Sequence, residues 1–167
     1  MGKATRVPGI SGEQFRAVLG HVPTSVAVVA GLIEERPRGL SVGTFVAVSL
    51  EPPLVGFLVD EKSTSWPPIA AVEAFAVSIL SAEQAELSRQ FAVSNSDKFA
   101  GVPWHEAPSG HPVIEGSVAW VDCQLASLTG AGDHVFVMAR VLDLGVGTGG
   151  TPLLHHRGGY RRAQDLD

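Results

Sequence analysis

Apolar positions along this chain fall into short, β-branched runs closed by glycine and proline, with only a few stretches spaced like a helix face. Residues 26–33 read as a strand, Arg36-Pro37-Arg38-Gly39 as a hairpin turn, and 40–50 as the returning strand. Beyond Pro52-Pro53, strands are expected over 54–59, 75–80, 117–128 and 134–144, with a last short one near Leu153. Three helices interrupt this series. Ser11-Gly12-Glu13-Gln14 fits a capping box ahead of Phe15, Val18 and Leu19 at helical spacing, and Pro23 stops the helix. Ser65 before Trp66-Pro67-Pro68 predicts a short helix within 63–72, with proline in its first turn. Ser81-Ala82-Glu83-Gln84 is a second capping box, opening a helix with Leu87 and Phe91 on one face that runs to about Ser94. Residues 95–112 are rich in turn formers. Many short strands with inserted helices and no βαβ alternation predict a mainly β fold, an antiparallel barrel with short helical insertions. No repeat, low-complexity tract or linker divides the chain, so one domain over 1–167 is expected.

Composition narrows the function classes. Hydrophobic residues make up 45% of the 167 and charged ones 17%, an apolar balance that predicts burial of surface against a second copy. The formal charge is −5 and no Lys/Arg cluster occurs, which argues against nucleic acid and anionic membranes as partners. Apolar runs are broken well short of spanning length, and the first residues lack the apolar core of a signal peptide, so a cytoplasmic location is expected. Cys123 is the one cysteine. It excludes an internal disulfide and a cysteine-based zinc cage, and reads as a small core residue.

Most catalytic motifs are absent or fail in context. Gly145-Val146-Gly147-Thr148-Gly149-Gly150 matches G-x-G-x-x-G, but Thr151-Pro152 follows where a Rossmann unit needs a helix; the segment reads as a flexible hairpin. His21, His105, His111, His134, His155 and His156 show no metal-binding spacing, and no metal site is expected. No G-x-S-x-G elbow occurs. Three weaker signals remain. Gly132-Asp133-His134 delivers a histidine to the first position of an apolar strand, Asp97-Lys98-Phe99 offers a cation at a turn, and Arg157-Gly158-Gly159-Tyr160 supplies a cation and an aromatic. Within 39–55, Ser41, Gly43 and Thr44 leave hydroxyls and backbone N–H groups uncovered, a surface suited to a phosphate-bearing cofactor.

Taken in order, Val48-Ser49-Leu50-Glu51-Pro52-Pro53-Leu54-Val55, Lys62-Ser63, Phe91-Ala92, Lys98-Phe99, Gly132-Asp133-His134 and Gly159-Tyr160 resemble the flavin reductase-like family. This is the FMN-binding split-barrel reductase component of two-component flavin-dependent monooxygenases. The resemblance covers about residues 15–160. It implies an antiparallel split β-barrel of Greek-key type, a homodimer, and an NAD(P)H:flavin oxidoreductase that hands reduced FMN or FAD to a separate monooxygenase. NADH or NADPH would be the hydride donor.

The same resemblance implies the site. Leu40, Ser41, Val42, Gly43 and Thr44 would line a flavin groove, with Val46 and Ala47 beside it. Glu61, Lys62 and Ser63 would reach the ribityl phosphate, and Ser94 and Lys98 would close that end. His134, with Arg157, Gly158 and Tyr160, would place the nicotinamide over the flavin ring. Hydride would pass from nicotinamide C4 to flavin N5, a step needing no protein nucleophile, only two planar rings at near-attack distance. Where the family commonly carries Asn or Ser this chain has Gly43, and where it carries Thr or Ser it has Val46 and Ala47. Rival readings are a flavin- or haem-binding barrel without turnover, and an oxidase of the pyridoxamine-phosphate type, against which the scarcity of clustered arginine speaks.

Overall fold

The computed structural model describes residues 9–94 and 96–166. In chain order the elements are α1 (Gly12–Leu19), β1 (Thr24–Ser25), β2 (Ala27–Ile33), β3 (Arg36–Val42), β4 (Val46–Ser49), β5 (Leu54–Asp60), α2 (Trp66–Ala71) and β6 (Ala74–Ile79). A 3-10 turn (Ala82–Gln84) leads into α3 (Ala85–Ala92), followed by β7 (Trp104–Glu106), β8 (Pro112–Ile114), β9 (Ala119–Ala131), β10 (His134–Val146), β11 (Leu153–His156) and β12 (Gly159–Arg162).

Seven of these strands form one antiparallel sheet in the order β3-β2-β6-β9-β10-β5-β4. Its two edge strands, β3 and β4, are consecutive in the chain and only Gly43-Thr44-Phe45 separates them. The sheet therefore curls until its edges approach, yet no ladder joins β3 to β4 or β5 among the described residues. The barrel is open along that seam. β11, β12 and β1 make a small outer sheet, and β7 pairs with β8.

Packing follows the two-residue period of β2. Ala27 and Val29 face the barrel interior with Phe57, Trp66, Ile69, Phe75 and Val137. Val26, Val28 and Ala30 face the opposite layer, with Leu80, Phe91, Phe99, Ile114 and Leu153. Both faces of β2 are covered, which is why it carries hydrophobic residues without alternation. Phe57, Trp66 and Phe75 meet edge to face at 5.5–5.7 Å between ring centroids, a geometry that adds to the area they bury.

Three sequence expectations are corrected. The β2–β3 turn is not Arg36–Gly39 but Glu34-Glu35, both left-handed (φ 50° and 61°). Pro37 sits within β3, tolerated because an edge strand does not need every N–H. The expected strand 40–50 is two strands on opposite edges of the sheet, since 46–49 pairs with β5 and not with β2. The glycine run 145–150 is not a flexible hairpin. Gly147 N–H donates to Val118 O at 2.9 Å and Gly149 N–H to Ser117 O at 3.0 Å, an approach so close that a Cβ at either position would strike that backbone.

Local signals were reliable. Ser11 Oγ accepts the Gln14 N–H at 3.0 Å, and the Ser81–Gln84 capping box is complete. No helix is long and apolar enough to cross a membrane among the described residues.

Candidate functional site

The open seam is a groove of about 850 Å³. One wall is the end of β3 and the link after it, Leu40, Ser41, Val42, Gly43 and Thr44. Leu58, Val59 and Asp60 of β5 form the other, continued by Lys62, Ser63, Thr64 and Ser65. The end of α3 contributes Phe91, Ala92 and Ser94; Lys98 lies below it. The tip of the β9–β10 hairpin brings in Ala131, Asp133 and His134, and Phe15 of α1 leans over the opening.

Hydrogen bonds fix each side. Thr44 Oγ1 accepts the Leu58 N–H at 2.8 Å, bracing the β3–β4 link against β5 across the seam. Asp60 Oδ1 accepts the Lys62 N–H at 2.8 Å and Asp60 O the Ser63 N–H at 2.9 Å, which folds the chain back after β5. Glu61 N–H donates to Asp133 O at 3.1 Å, tying this turn to the hairpin tip. Ser63 Oγ, rather than Ser65, accepts the Trp66 N–H at the start of α2. That frees Ser65 Oγ to accept from Lys98 Nζ at 2.9 Å.

The histidine is delivered by a two-residue turn, Gly132-Asp133, with Gly132 left-handed at φ 74°. The sequence had placed a five-residue connection there. His134 is half-buried, and its Nδ1 donates to Asp133 Oδ1 at 2.7 Å, leaving Nε2 available to a ligand. That bond, with the nearby His134 and Lys62 charges, holds the Asp133 carboxyl below its ordinary value. Elsewhere in the groove lining, burial lowers the pKa of the Lys98 ammonium. A bound anion there would offset that desolvation.

Of the residues named from sequence, Leu40, Ser41, Val42, Gly43, Thr44, Lys62, Ser63, Ser94, Lys98 and His134 share this groove. Val46 and Ala47 do not line it; they lie exposed on β4. Glu61 reaches the site only through its backbone. Arg157 and Gly158 form the β11–β12 turn, away from the groove lining. Tyr160 stands one layer behind: its hydroxyl lies 2.8 Å from Ser88 Oγ, which lies 3.4 Å from Ser41 Oγ, and the Arg89 guanidinium sits 5.0 Å over its ring. Phe15, Leu58, Val59, Thr64, Phe91 and Ala131 were not anticipated at the groove.

An apolar wall of Leu40, Val42, Val59 and Phe91 beside two ammonium groups and the hydroxyls of Ser63, Thr64 and Ser65 suits a flat ring bearing an anionic tail. A flavin nucleotide has that shape and charge. The two carboxylates at the groove are both engaged, Asp60 Oδ1 with the Lys62 N–H and Asp133 Oδ1 with His134 Nδ1, and no cluster of metal-binding side chains occurs among the described residues.

An antiparallel split barrel with such a groove at its seam defines a class of flavin-nucleotide proteins. The chain belongs to the flavin reductase like domain family, whose model matches residues 19–164. It is 45% identical over 152 residues to a flavin reductase of Pseudomonas putida, covering 90% of this chain and 89% of that one. To the reductase subunit HsaB of a flavin-dependent monooxygenase of Mycobacterium tuberculosis it is 39% identical over 153 residues, 90% and 82% of the two chains. The solved NADH:FAD oxidoreductase SgcE6 of Streptomyces globisporus, in complex with NAD and FAD fragments, superposes with a TM-score of 0.85 at 35% identity, over 93% and 94% of the chains.

Proposed function

We propose that this chain is an NADH-dependent flavin reductase, a single catalytic domain that releases reduced flavin to a separate monooxygenase. The observation that carries the reading is the seam itself, where an apolar wall, two ammonium groups and a histidine at a hairpin tip converge on one groove. When bound, flavin supplies the hydride-accepting N5, and the donor is nicotinamide C4. The residues of this chain bind and orient. Leu40, Val42 and Val59 exclude water from one ring face, while Lys62, Lys98 and the Ser63–Ser65 hydroxyls hold the phosphate. His134, oriented by Asp133 through Nδ1, would use its Nε2 to place the nicotinamide. Tyr160 positions the β3 wall from the layer behind it, through Ser88 and Ser41.

A second copy completes the structure in this reading. α1 buries none of its residues: Phe15, Val18 and Leu19 stand 47–61% exposed, and Leu144 (62%) and Val146 (90%) on β10 are exposed still further. A helix so exposed on its apolar side needs a cover, and a homodimer supplies one. Steady-state NADH oxidation by the purified protein with added FMN or FAD tests the activity, and light scattering at micromolar concentration tests the dimer. NADH consumption dependent on added flavin is expected. A retained yellow chromophore without NADH oxidation contradicts the reductase, and a monomer contradicts the dimer.

A further inference from the structure

Beside the groove lies a second cleft, of about 720 Å³, inside the roughly 300–1,000 Å³ typical of small-molecule sites. Thr64, Ser65 and Lys98 line both, so the two are continuous there. β3 runs through both as well, with its 40–42 end on the groove and its 36–39 end on the cleft. The new walls come from Arg36 and Arg38 on β3, Pro68 of α2, and Asp97, Phe99 and Trp104.

The charge here departs from that of the chain. Three cations, Arg36, Arg38 and Lys98, face the cleft against one carboxylate, Asp97, whose Oδ1 already accepts the Phe99 N–H at 3.2 Å. The chain as a whole carries −5. Both arginines are exposed, and neither has an ion-pair partner among the described residues. Trp104 is half-buried, with its ring against Phe99 at 6.4 Å between centroids, an aromatic floor within the same cleft. Unpaired guanidinium groups suit a diphosphate, and an indole surface with prolines beside it suits a purine.

We infer that the cleft receives the adenosine diphosphate half of FAD, so that this chain prefers FAD to FMN. The inference rests on the reductase reading of the groove. A ligand that puts its ring on the β3 wall and its first phosphate between Lys98 and Ser63 must continue past Thr64 and Ser65, and the space it then enters is lined by Arg36 and Arg38. FMN ends before that point. Arg36 and Arg38 thereby set flavin specificity, while the groove holds what FMN and FAD share.

The test is fluorescence titration of the intact protein and of the double variant Arg36→Ser/Arg38→Ser with FAD and FMN, and with ADP as competitor. Exposed arginines without partners are replaceable with little effect on folding, checked by thermal melting. Wild-type protein should bind FAD at least about tenfold more tightly than FMN, the variant should lose about tenfold in FAD affinity with FMN unchanged, and ADP should displace FAD alone. Equal affinity for the two flavins, or a variant that weakens both or neither, overturns the assignment. So does a variant that alters NADPH-against-NADH discrimination while the FAD-to-FMN ratio holds, because the cleft would then serve the nicotinamide dinucleotide. Failure to oxidise NADH with either flavin contradicts the underlying reductase reading, whereas FMN-dependent turnover with an unchanged flavin ratio contradicts only the cleft.

Discussion

Thr44 Oγ1 accepts the backbone N–H of Leu58 at 2.8 Å, and this bond crosses the seam where the seven-stranded sheet fails to close. It fixes the distance between the two walls of the groove. Thr44→Val keeps the side-chain shape but leaves the Leu58 N–H without its acceptor, so a loss of about 1 kcal/mol is expected by denaturant titration. Flavin affinity should fall with it. Thr44→Ser should recover both; a Thr44→Val protein equal to wild type in stability and affinity would show that the brace is idle.

His134 and Asp133 form a pair at the hairpin tip, and the pair is expected to govern the hydride donor rather than the flavin. His134→Ala should lower kcat/KM for NADH by about tenfold, the worth of one hydrogen bond, while the flavin Kd stays within about twofold. Asp133→Asn should give a smaller loss, because an amide oxygen still accepts from Nδ1. Equal losses in NADH use and flavin binding would make His134 a structural residue.

Stability should fall on mild acidification because of His111, which lies outside the groove. Its Nδ1 accepts the Leu32 N–H at 3.0 Å, so the bond requires the neutral ring. Burial lowers its pKa below the ordinary 6.5, against a smaller opposing pull from Asp122. The unfolded chain then binds more protons than the folded one between the lowered value and 6.5. The stabilising contribution is complete above that window and is lost as pH falls through the folded value. Urea midpoints should drop from pH 7.5 to pH 5.5 in wild type and drop less in His111→Gln; parallel slopes would contradict this.

Cys123 should be inert in the native protein. It is fully buried, and burial, with Asp122 adding to it, pushes its thiol up to about 12. Ellman's reagent should modify it only at the rate of unfolding, and rapid labelling in native buffer would refute the placement.

Elements governed by neighbours in sequence were legible in the chain. The Ser11 N-cap, the Ser81 capping box and the proline in the first turn of α2 follow from local chemistry. What escaped was decided across the sheet. Nothing between 40 and 50 announces that 46–49 pairs with β5, and that exchange of edges carries Val46 and Ala47 out of the groove. Glu34-Glu35 has no turn signature; the turn sits there because Leu32↔Pro37 and Ile33↔Arg36 pair. At the site, the hydroxyl-bearing end of β3, Lys62, Lys98 and His134, far apart in the chain, share one groove. Phe15 was missed because an apolar stripe on a helix reads as core, and Tyr160 was placed at the ring because a chain of hydroxyls through Ser88 is invisible in sequence.

Anaerobic mixing of the enzyme, flavin and one equivalent of NADH, followed by the flavin's visible absorbance, bears most directly on the seam as the place where both rings meet. Wild-type protein should bleach the flavin completely within turnover times. Ser41→Trp, which fills the β3 wall with an indole, should leave the flavin oxidised in protein that retains a cooperative melting transition, and Ser41→Ala, which removes only the hydroxyl facing Ser88, should still bleach it. Bleaching as fast in Ser41→Trp as in wild type would contradict the account.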